Sequence, residues 1–491
     1  MGLRDKTLRQ ASSERRAVID IGSNTVRLVV YGGPPRAPTV VLNEKVSAKL
    51  GKGVAETGSL APKARATALA ALGRYAALVR AMGIQQVHTV ATAAVREAVN
   101  GALFLSEVEA LGLKPQLLSG EEEAQTSALG VIGAFPAGSG VVADLGGGSL
   151  ELVRICAGTC EQGSSLPLGI LRLPALRAGG TAKFRRRAGG LVAGTGASCA
   201  ADDALYLVGG SFRALARYHL HVSGVPLDDP HGLEIEAEGL LRRCRQLQLA
   251  KRLPDVPGLS PSRLASLGDT AALLAVLIQT LKPARVIFSG WGLREGLVFA
   301  QLSPDQRRLD PLTAGVRAFA EPLGANSAVA TMIAGWTAAV CGSPDSQTEK
   351  LRHSAIMLAL ALQQVEPNLR GVTALDWALH KRWIGAGGPC RVLLATCMLA
   401  NANRALPDDI IHLAQPQQVA DAFTWGLAMR LCRRITGLVP HLFSAAELQV
   451  RDEELQLRLD AIAAELVTEA VEKDFAMLAE QLGLKSAIKR C

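Results

Sequence analysis

The residues of this chain that could do chemistry gather around two short glycine-rich turns. Gly22-Ser23-Asn24-Thr25 follows Asp20, and Gly146-Gly147-Gly148-Ser149 follows Asp144. Glycine and small hydroxyl residues let backbone N–H groups converge on an anion without obstruction. A carboxylate ending the strand before such a turn can hold a metal that bridges to a bound phosphate. One such turn is an ordinary hairpin. Two of them, each opening one half of an α/β chain, point to phosphate binding in a cleft between the halves. Glu151 lies two residues after Ser149 on the returning strand, so the two share a face. It reads either as a solvent-facing residue or as a partner of Asp144 in a metal site.

Further acids and bases have plainer readings beside the chemical ones. Ser119 and Glu122 match a helix capping box, and Glu121 suits the helix dipole. Glu123 is not needed for the cap and could act as a general base. Arg96, in the loop Thr92–Arg96 beyond a strand, is either a surface arginine or a bidentate phosphate clamp. His219-Leu220-His221 would put both rings on one face of a strand, yet no acid or cysteine lies near enough to complete a metal site, so they read as structural. Lys183-Phe184-Arg185-Arg186-Arg187 and Arg242-Arg243-Cys244-Arg245 read as solvated faces or secondary docking sites for a polyanion. No GxxxxGK[ST] loop and no GxSxG elbow occurs, which disfavours a Walker-type ATPase and an α/β-hydrolase.

The elements that must position these residues follow from patterning. Ala17–Ile21 and Val26–Tyr31 read as a buried hairpin, and Val141–Leu145 with Leu150–Ile155 repeats it. Between them lie a long helix (Ala61–Met82), a strand (Val87–Val90) and a short strand (Pro115–Leu118) running into a helix. Leu205–Ser211 and Arg285–Gly290 are strands ending in glycine-rich turns. Strand signals stop near Asp305, and from Leu312 the chain reads as helices, the amphipathic stretch Asp452–Leu482 included.

At ~150 residues per domain, 491 residues predict about three domains. Apolar residues at 49% and charged residues at 20% exclude a disordered or fibrous chain. Mean hydropathy is +0.21, so a membrane span needs explicit exclusion. The longest uncharged stretch, Pro322–Pro344, is rich in Ala and Gly and reads as a buried helix in a helical domain. Met1–Arg16 has no apolar core and is not expected to be a signal peptide. The nine cysteines form no CxxC pair and are expected as free thiols in a reducing compartment. The net charge of +9 favours a polyanionic partner.

In order along the chain stand Ala17-Val-Ile-Asp-Ile-Gly-Ser-Asn-Thr25, Thr92-Ala-Ala-Val-Arg96, Leu118-Ser-Gly-Glu-Glu-Glu-Ala124 and Ala143-Asp-Leu-Gly-Gly-Gly-Ser-Leu-Glu-Leu152. Leu168–Arg172 and Gly292–Gly296 complete the set. Together these motifs resemble the exopolyphosphatase / guanosine pentaphosphate phosphatase (Ppx/GppA) family of the actin-like ATPase superfamily, over about residues 15–305. The resemblance implies an α/β chain with a flexible segment 1–14 and two ribonuclease H-like lobes, 15–137 and 138–305. An all-α, HD-like C-terminal domain, 306–491, would follow. Its metal motif is degenerate, because Met357–Ala361 stands where a His-Asp pair is expected.

By that resemblance Asp144, Glu151 and Asp20 would hold Mg²⁺. Gly22, Ser23, Asn24 and Thr25, with Gly146, Gly147, Gly148, Ser149 and Arg96, would grip terminal phosphates. Glu123 would be the catalytic base. The implied activity is removal of orthophosphate from the end of inorganic polyphosphate, by a cytoplasmic homodimer with no membrane and no specific nucleic-acid partner. Two alternatives stay open: a guanosine pentaphosphate (pppGpp) 5′-phosphatase, and an actin-like scaffold that binds phosphate polymers without hydrolysis. A kinase would need an adenosine pocket, for which Gly209-Gly210-Ser211 is the only candidate.

Overall fold

The computed structural model describes residues 15–250 and 252–490, so the expectation for segment 1–14 lies outside the described residues. The chain forms two compact units. One holds the residues up to Ser223 and Pro230–Leu309, the other Gly224–Asp229 and the chain from Asp310 onward.

The first unit contains two sheets built on one plan. In the first, β1 (Arg16–Ile21) and β2 (Val26–Gly32) form an antiparallel hairpin, and β3 (Thr39–Val46) extends it beyond β2. On the other side β4 (Gln86–Ala91) runs parallel to β1, and β5 (Pro115–Leu117) parallel to β4. The second sheet repeats this: β6 (Ser139–Leu145) and β7 (Leu150–Cys156) form the hairpin, with β8 (Thr159–Cys160) and β9 (Ser164–Leu166) pairing β7. Then β10 (Ala204–Val208) lies parallel to β6 and β12 (Arg285–Phe288) parallel to β10, while β11 (Leu233–Glu236) closes the edge antiparallel. Ala17, Val18 and Ile19 are fully buried, as the continuous apolar run requires of a strand covered on both faces.

Helix α1 (Pro62–Ala81) covers the first sheet through Ala68, Leu72, Tyr75 and Ala76. The segment Thr92–Arg96, expected as a loop, is mostly a short helix, α2 (Ala93–Glu97). Its Ala93, Ala94 and Val95 are buried, and apolar contact winds so short a segment into a turn. Helix α3 (Gly120–Ala134) packs Ala124, Ala128 and Val131 against Val142 and Val153 of the second sheet. Helix α4 (Gly210–Val222) leaves β10, and it carries His219 and His221. The two histidines therefore sit two apart on a helix, not on one face of a strand, and the sheet-based pairing does not hold. Helix α5 (Leu267–Leu281) is buried along most of its length in the second sheet's core.

Helix α6 (Leu293–Ala300) returns to the first sheet, where Val298 meets Val18, Val29 and Tyr31. It crosses α3 at backbone contact. A Cβ on Gly130 would lie 2.2 Å from the Gly292 carbonyl oxygen, and one on Gly296 would lie 1.8 Å from that of Thr126. Only glycine permits this approach.

The second unit is helical from Pro311 to Ala445. Its main helices are α7 (Pro311–Ala320), α8 (Ser346–Ala361), α9 (Gly388–Asn401) and α10 (Pro416–Thr436). The uncharged stretch Pro322–Pro344 is not one buried helix. It breaks into Ser327–Trp336 and Ala338–Cys341, which bury only Ala330, Ile333 and Cys341. The expectation of a wholly helical domain fails at the end of the chain. Residues β13 (Ala446–Arg451), β14 (Glu454–Leu459) and β15 (Lys485–Arg490) make a three-stranded sheet, with α11 (Glu469–Leu482) leading into the last strand. Alternation in Glu454–Leu459 buries Leu455, Leu457 and Leu459, a period of two that the longer helical pattern after it obscured. Met357, Leu358, Ala359 and Ala361, where the resemblance led a His-Asp pair to be expected, lie buried in α8 as packed apolar side chains. None of the described helices is long and apolar enough to cross a membrane. The described cysteines are all free thiols.

Candidate active site

The two hairpin turns are closed by the same bond: Gly22 N–H donates to the Thr25 carbonyl and Gly146 N–H to the Ser149 carbonyl, each at 3.0 Å. They also touch one another. A Cβ on Gly147 would lie 2.8 Å from the Ser23 Cβ, and one on Gly148 would lie 3.1 Å from the Ser23 Oγ. Each turn is clasped by a following loop. Gly51 N–H donates to Ser23 O at 2.7 Å, and Leu171 N–H to Gly147 O at 3.0 Å.

Both turns open on one cleft of about 470 Å³, lined by Asp20, Gly22–Thr25, Glu123, Asp144, Gly146–Ser149 and Glu151. The expected site residues thus come together, Arg96 excepted. The Arg96 guanidinium stands behind Glu123, donating to its Oε2 at 3.2 Å and to the Leu118 carbonyl at 2.7 Å. Glu123 lies in the first turn of α3, whose capping box (Ser119 with Glu122) forms as the sequence implied. Glu122 is thereby committed to the cap, while Glu123 is 8% exposed and faces the cleft.

The carboxylates share one electrostatic situation. Burial pushes the Glu123 carboxyl up to about 7. The Arg96 guanidinium opposes the rise, and the charges of Asp144 and Asp20 add to it. Burial likewise raises Asp144, against the hydrogen bond from the Ser127 hydroxyl. Glu151 rises well above the carboxylate range through burial and the nearby Glu123 and Asp144 charges, although Ser165 donates to its Oε1 at 3.0 Å. Asp20 is raised by burial and held back by Arg294 and Arg27. No ion pair neutralises Asp20, Asp144 or Glu151 among the described residues.

That donor set fits a divalent cation. Among the described residues no group of three or more His, Cys, Asp or Glu side chains forms a cage of its own. Mg²⁺ commonly takes one or two carboxylates together with waters and substrate phosphates, so the Asp144 and Glu151 pair meets its need.

Sequence reasoning missed the cationic side of the cleft. Arg27, Lys45, Arg213, Arg217, Arg263 and Arg294 line it too. Asp20, Arg27 and Lys45 occupy one row across β1, β2 and β3. Closing the first hairpin at Gly22–Thr25 by residue counting alone would have paired Arg27 with Asp20. Arg213 and Arg263 come from α4 and from the segment before α5, and only tertiary structure brings them in. Lys45 is lowered by its burial and by Arg27, Arg263 and Arg213, a mark of mutually close cations. Glu295 is fixed by the Tyr31 hydroxyl at 2.7 Å and the Gly292 N–H at 3.1 Å, which secures the start of α6 and its Arg294. Among the described residues no aromatic side chain lines the cleft. Gly209-Gly210-Ser211 also opens on it, but Arg263 donates to the Ser211 Oγ at 3.1 Å, so cations stand where an adenosine pocket was sought.

The sequence profile of the Ppx/GppA phosphatase family matches residues 29–304. Exopolyphosphatase 1 of Mycobacterium leprae is 28% identical over 314 residues, covering 59% of this chain and 90% of that protein. Exopolyphosphatase 2 of Mycobacterium tuberculosis is 36% identical over 151 residues, or 28% of this chain and 47% of that one. Among solved structures, the Ppx/GppA family member of Aquifex aeolicus superposes with a TM-score of 0.51 at 24% identity, covering 58% of this chain and 97% of its own. An exopolyphosphatase from Cytophaga hutchinsonii gives 0.51 at 20% identity, covering 58% and 97%. These likenesses establish the fold of the sheet-bearing lobes, and the family match ends at residue 304, before the C-terminal unit.

Proposed function

The chain belongs to the Ppx/GppA phosphatase family, and from that premise we propose that it is an exopolyphosphatase, releasing orthophosphate from the end of inorganic polyphosphate. The single observation that carries the reading is the meeting of Glu123 with both glycine turns in one cleft whose remaining wall is cationic. The terminal phosphate lies on the turns, where backbone N–H groups and Ser23 and Ser149 hold its oxygens. Glu123 takes a proton from water as that water attacks phosphorus, and the bond to the bridging oxygen breaks, leaving the chain one phosphate shorter. Arg96 orients the Glu123 carboxylate and keeps it ionisable near neutral pH. Asp144, Glu151 and Asp20 would hold Mg²⁺, which when bound supplies charge stabilisation to the phosphoryl oxygens.

Arg27, Lys45, Arg213 and Arg263 suit the following phosphates of an all-anionic chain. A guanosine 5′-phosphatase is the second reading, and the described residues of the cleft lining include no aromatic side chain on which a base could stack. The proposal includes the lobe boundaries 15–137, 138–305 and 306–491 and, from the family resemblance, a cytoplasmic homodimer. Side-by-side turnover of long-chain polyphosphate and pppGpp with Mg²⁺ tests it. Faster polyphosphate turnover is expected. Faster pppGpp turnover favours the second reading, and binding of polyphosphate without release of phosphate favours a scaffold.

A further inference from the structure

A second cavity, of about 610 Å³, backs onto the same turns. It shares Ser23, Asn24 and Gly148 with the cleft, and its other walls are the two loops that clasp the turns, α2 and the helices Leu173–Ala178 and Thr181–Ala193. One of these loops carries Lys49 in the left-handed backbone region at φ 54°, held there by its N–H bond to the Asn24 carbonyl at 2.9 Å. A lysine keeps that conformation only where its surroundings fix it.

The cavity's chemistry differs from the cleft's. Its rim carries Lys49, Lys52, Arg172 and Arg187, the last from the basic run 183–187. Arg172 pairs with Glu97, whereas Lys49, Lys52 and Arg187 have no carboxylate partner among the described residues. Its floor is aliphatic, made by Val54, Leu171, Leu176 and Leu191, and among the described residues no aromatic side chain lines it. Leu171 is 40% exposed there. An inorganic phosphate chain would satisfy the rim and leave the floor wet. A ligand with one anionic end and one apolar end satisfies both.

We propose that this cavity binds an organic phosphate, with the phosphate on the Lys49, Lys52 and Arg187 rim and the organic body on the Leu171 and Leu176 floor. The site is separate from the cleft carboxylates, so its occupancy can be measured whether or not the hydrolytic reading holds.

Calorimetric titration of the full chain tests it with octyl phosphate, ATP, tripolyphosphate and inorganic phosphate as probes. Octyl phosphate, ATP or both should bind roughly tenfold or more tightly than inorganic phosphate. Which of them binds more tightly tells an alkyl body from a nucleoside. The exposed-site double variant Lys52→Ala/Arg187→Ala should weaken that binding by about tenfold, and Leu171→Gln should weaken octyl phosphate while sparing inorganic phosphate. The proposal is overturned if neither organic probe outbinds inorganic phosphate, or if the double variant leaves their binding unchanged. It is also overturned if tripolyphosphate outbinds both and is the probe that the double variant weakens.

Discussion

Asp144 and Glu151 face each other as direct register partners across the antiparallel pair β6–β7, one residue in from each end of the Gly146–Ser149 turn. Glu151 is buried and Asp144 half-buried, and the Asp144 charge raises the Glu151 carboxyl. Two acids placed so closely oppose folding when both ionise, unless a cation joins them.

Stability should therefore depend on pH and on Mg²⁺ together. The carboxyls of Asp20, Glu123, Asp144 and Glu151 all sit above their unfolded values in the folded chain. Their contribution is fully present below the unfolded carboxylate range and is lost as pH rises through the folded values, near 7 for Glu123. Without divalent cations, the melting temperature measured by calorimetry should be higher at pH 5.5 than at pH 8. Mg²⁺ should raise it more at pH 8, and Glu151→Gln should abolish most of that difference. A melting temperature indifferent to Mg²⁺ at both pH values contradicts the assignment.

Catalysis should carry the opposite sign. The base must be ionised, so the rate should rise with pH through about 7. Arg96 holds the Glu123 carboxyl down, and Arg96→Met should move the rising limb to higher pH as well as lowering the rate. A pH–rate profile of the variant checks this. An unshifted limb would separate Arg96 from the base.

The cationic wall should act on binding rather than on bond cleavage. Lys45→Ala and Arg263→Ala are expected to raise KM for long-chain polyphosphate by roughly tenfold with kcat changed far less, because each removes about one charge–charge contact. The increase should shrink in high salt. Initial rates at two ionic strengths decide it.

The contact between α3 and α6 should tolerate no side chain. Gly130→Ala places a Cβ 2.2 Å from the Gly292 carbonyl oxygen. A loss of about 1–3 kcal/mol of stability is expected from such overpacking. Because α3 carries Glu123 and Gly292 lies beside Asp144, activity should fall further than stability alone explains. Denaturant titration with kinetics below the transition separates the two effects.

The hairpins were readable because each is a local pattern: an apolar run, an acid, a turn that only small residues can make, and a second apolar run. Glu123 stood out once Ser119 and Glu122 were assigned to the cap. The cationic wall was not readable in the same way. Arg213, Arg217 and Arg263 are single charges, and such charges look like solvated faces until α4 and the segment before α5 bring them beside the turns. The strand Glu454–Leu459 was missed because its alternation is short and is followed by a longer helical pattern. Arg96 was placed on phosphate by motif, and the structure sets it against Glu123, a contact that depends on how α2 meets α3.

The central claim is that Glu123 drives hydrolysis of a polyphosphate terminus in this cleft. Orthophosphate release and residual chain length should be followed together, on long-chain polyphosphate with Mg²⁺, for the wild-type chain and Glu123→Gln. The account predicts that the wild type releases orthophosphate while the remaining chains shorten from their ends. It further predicts that Glu123→Gln binds the polymer with similar affinity but releases phosphate about 10²–10⁴-fold more slowly. Equal rates for the two proteins, or chains cut internally without early orthophosphate, would contradict it.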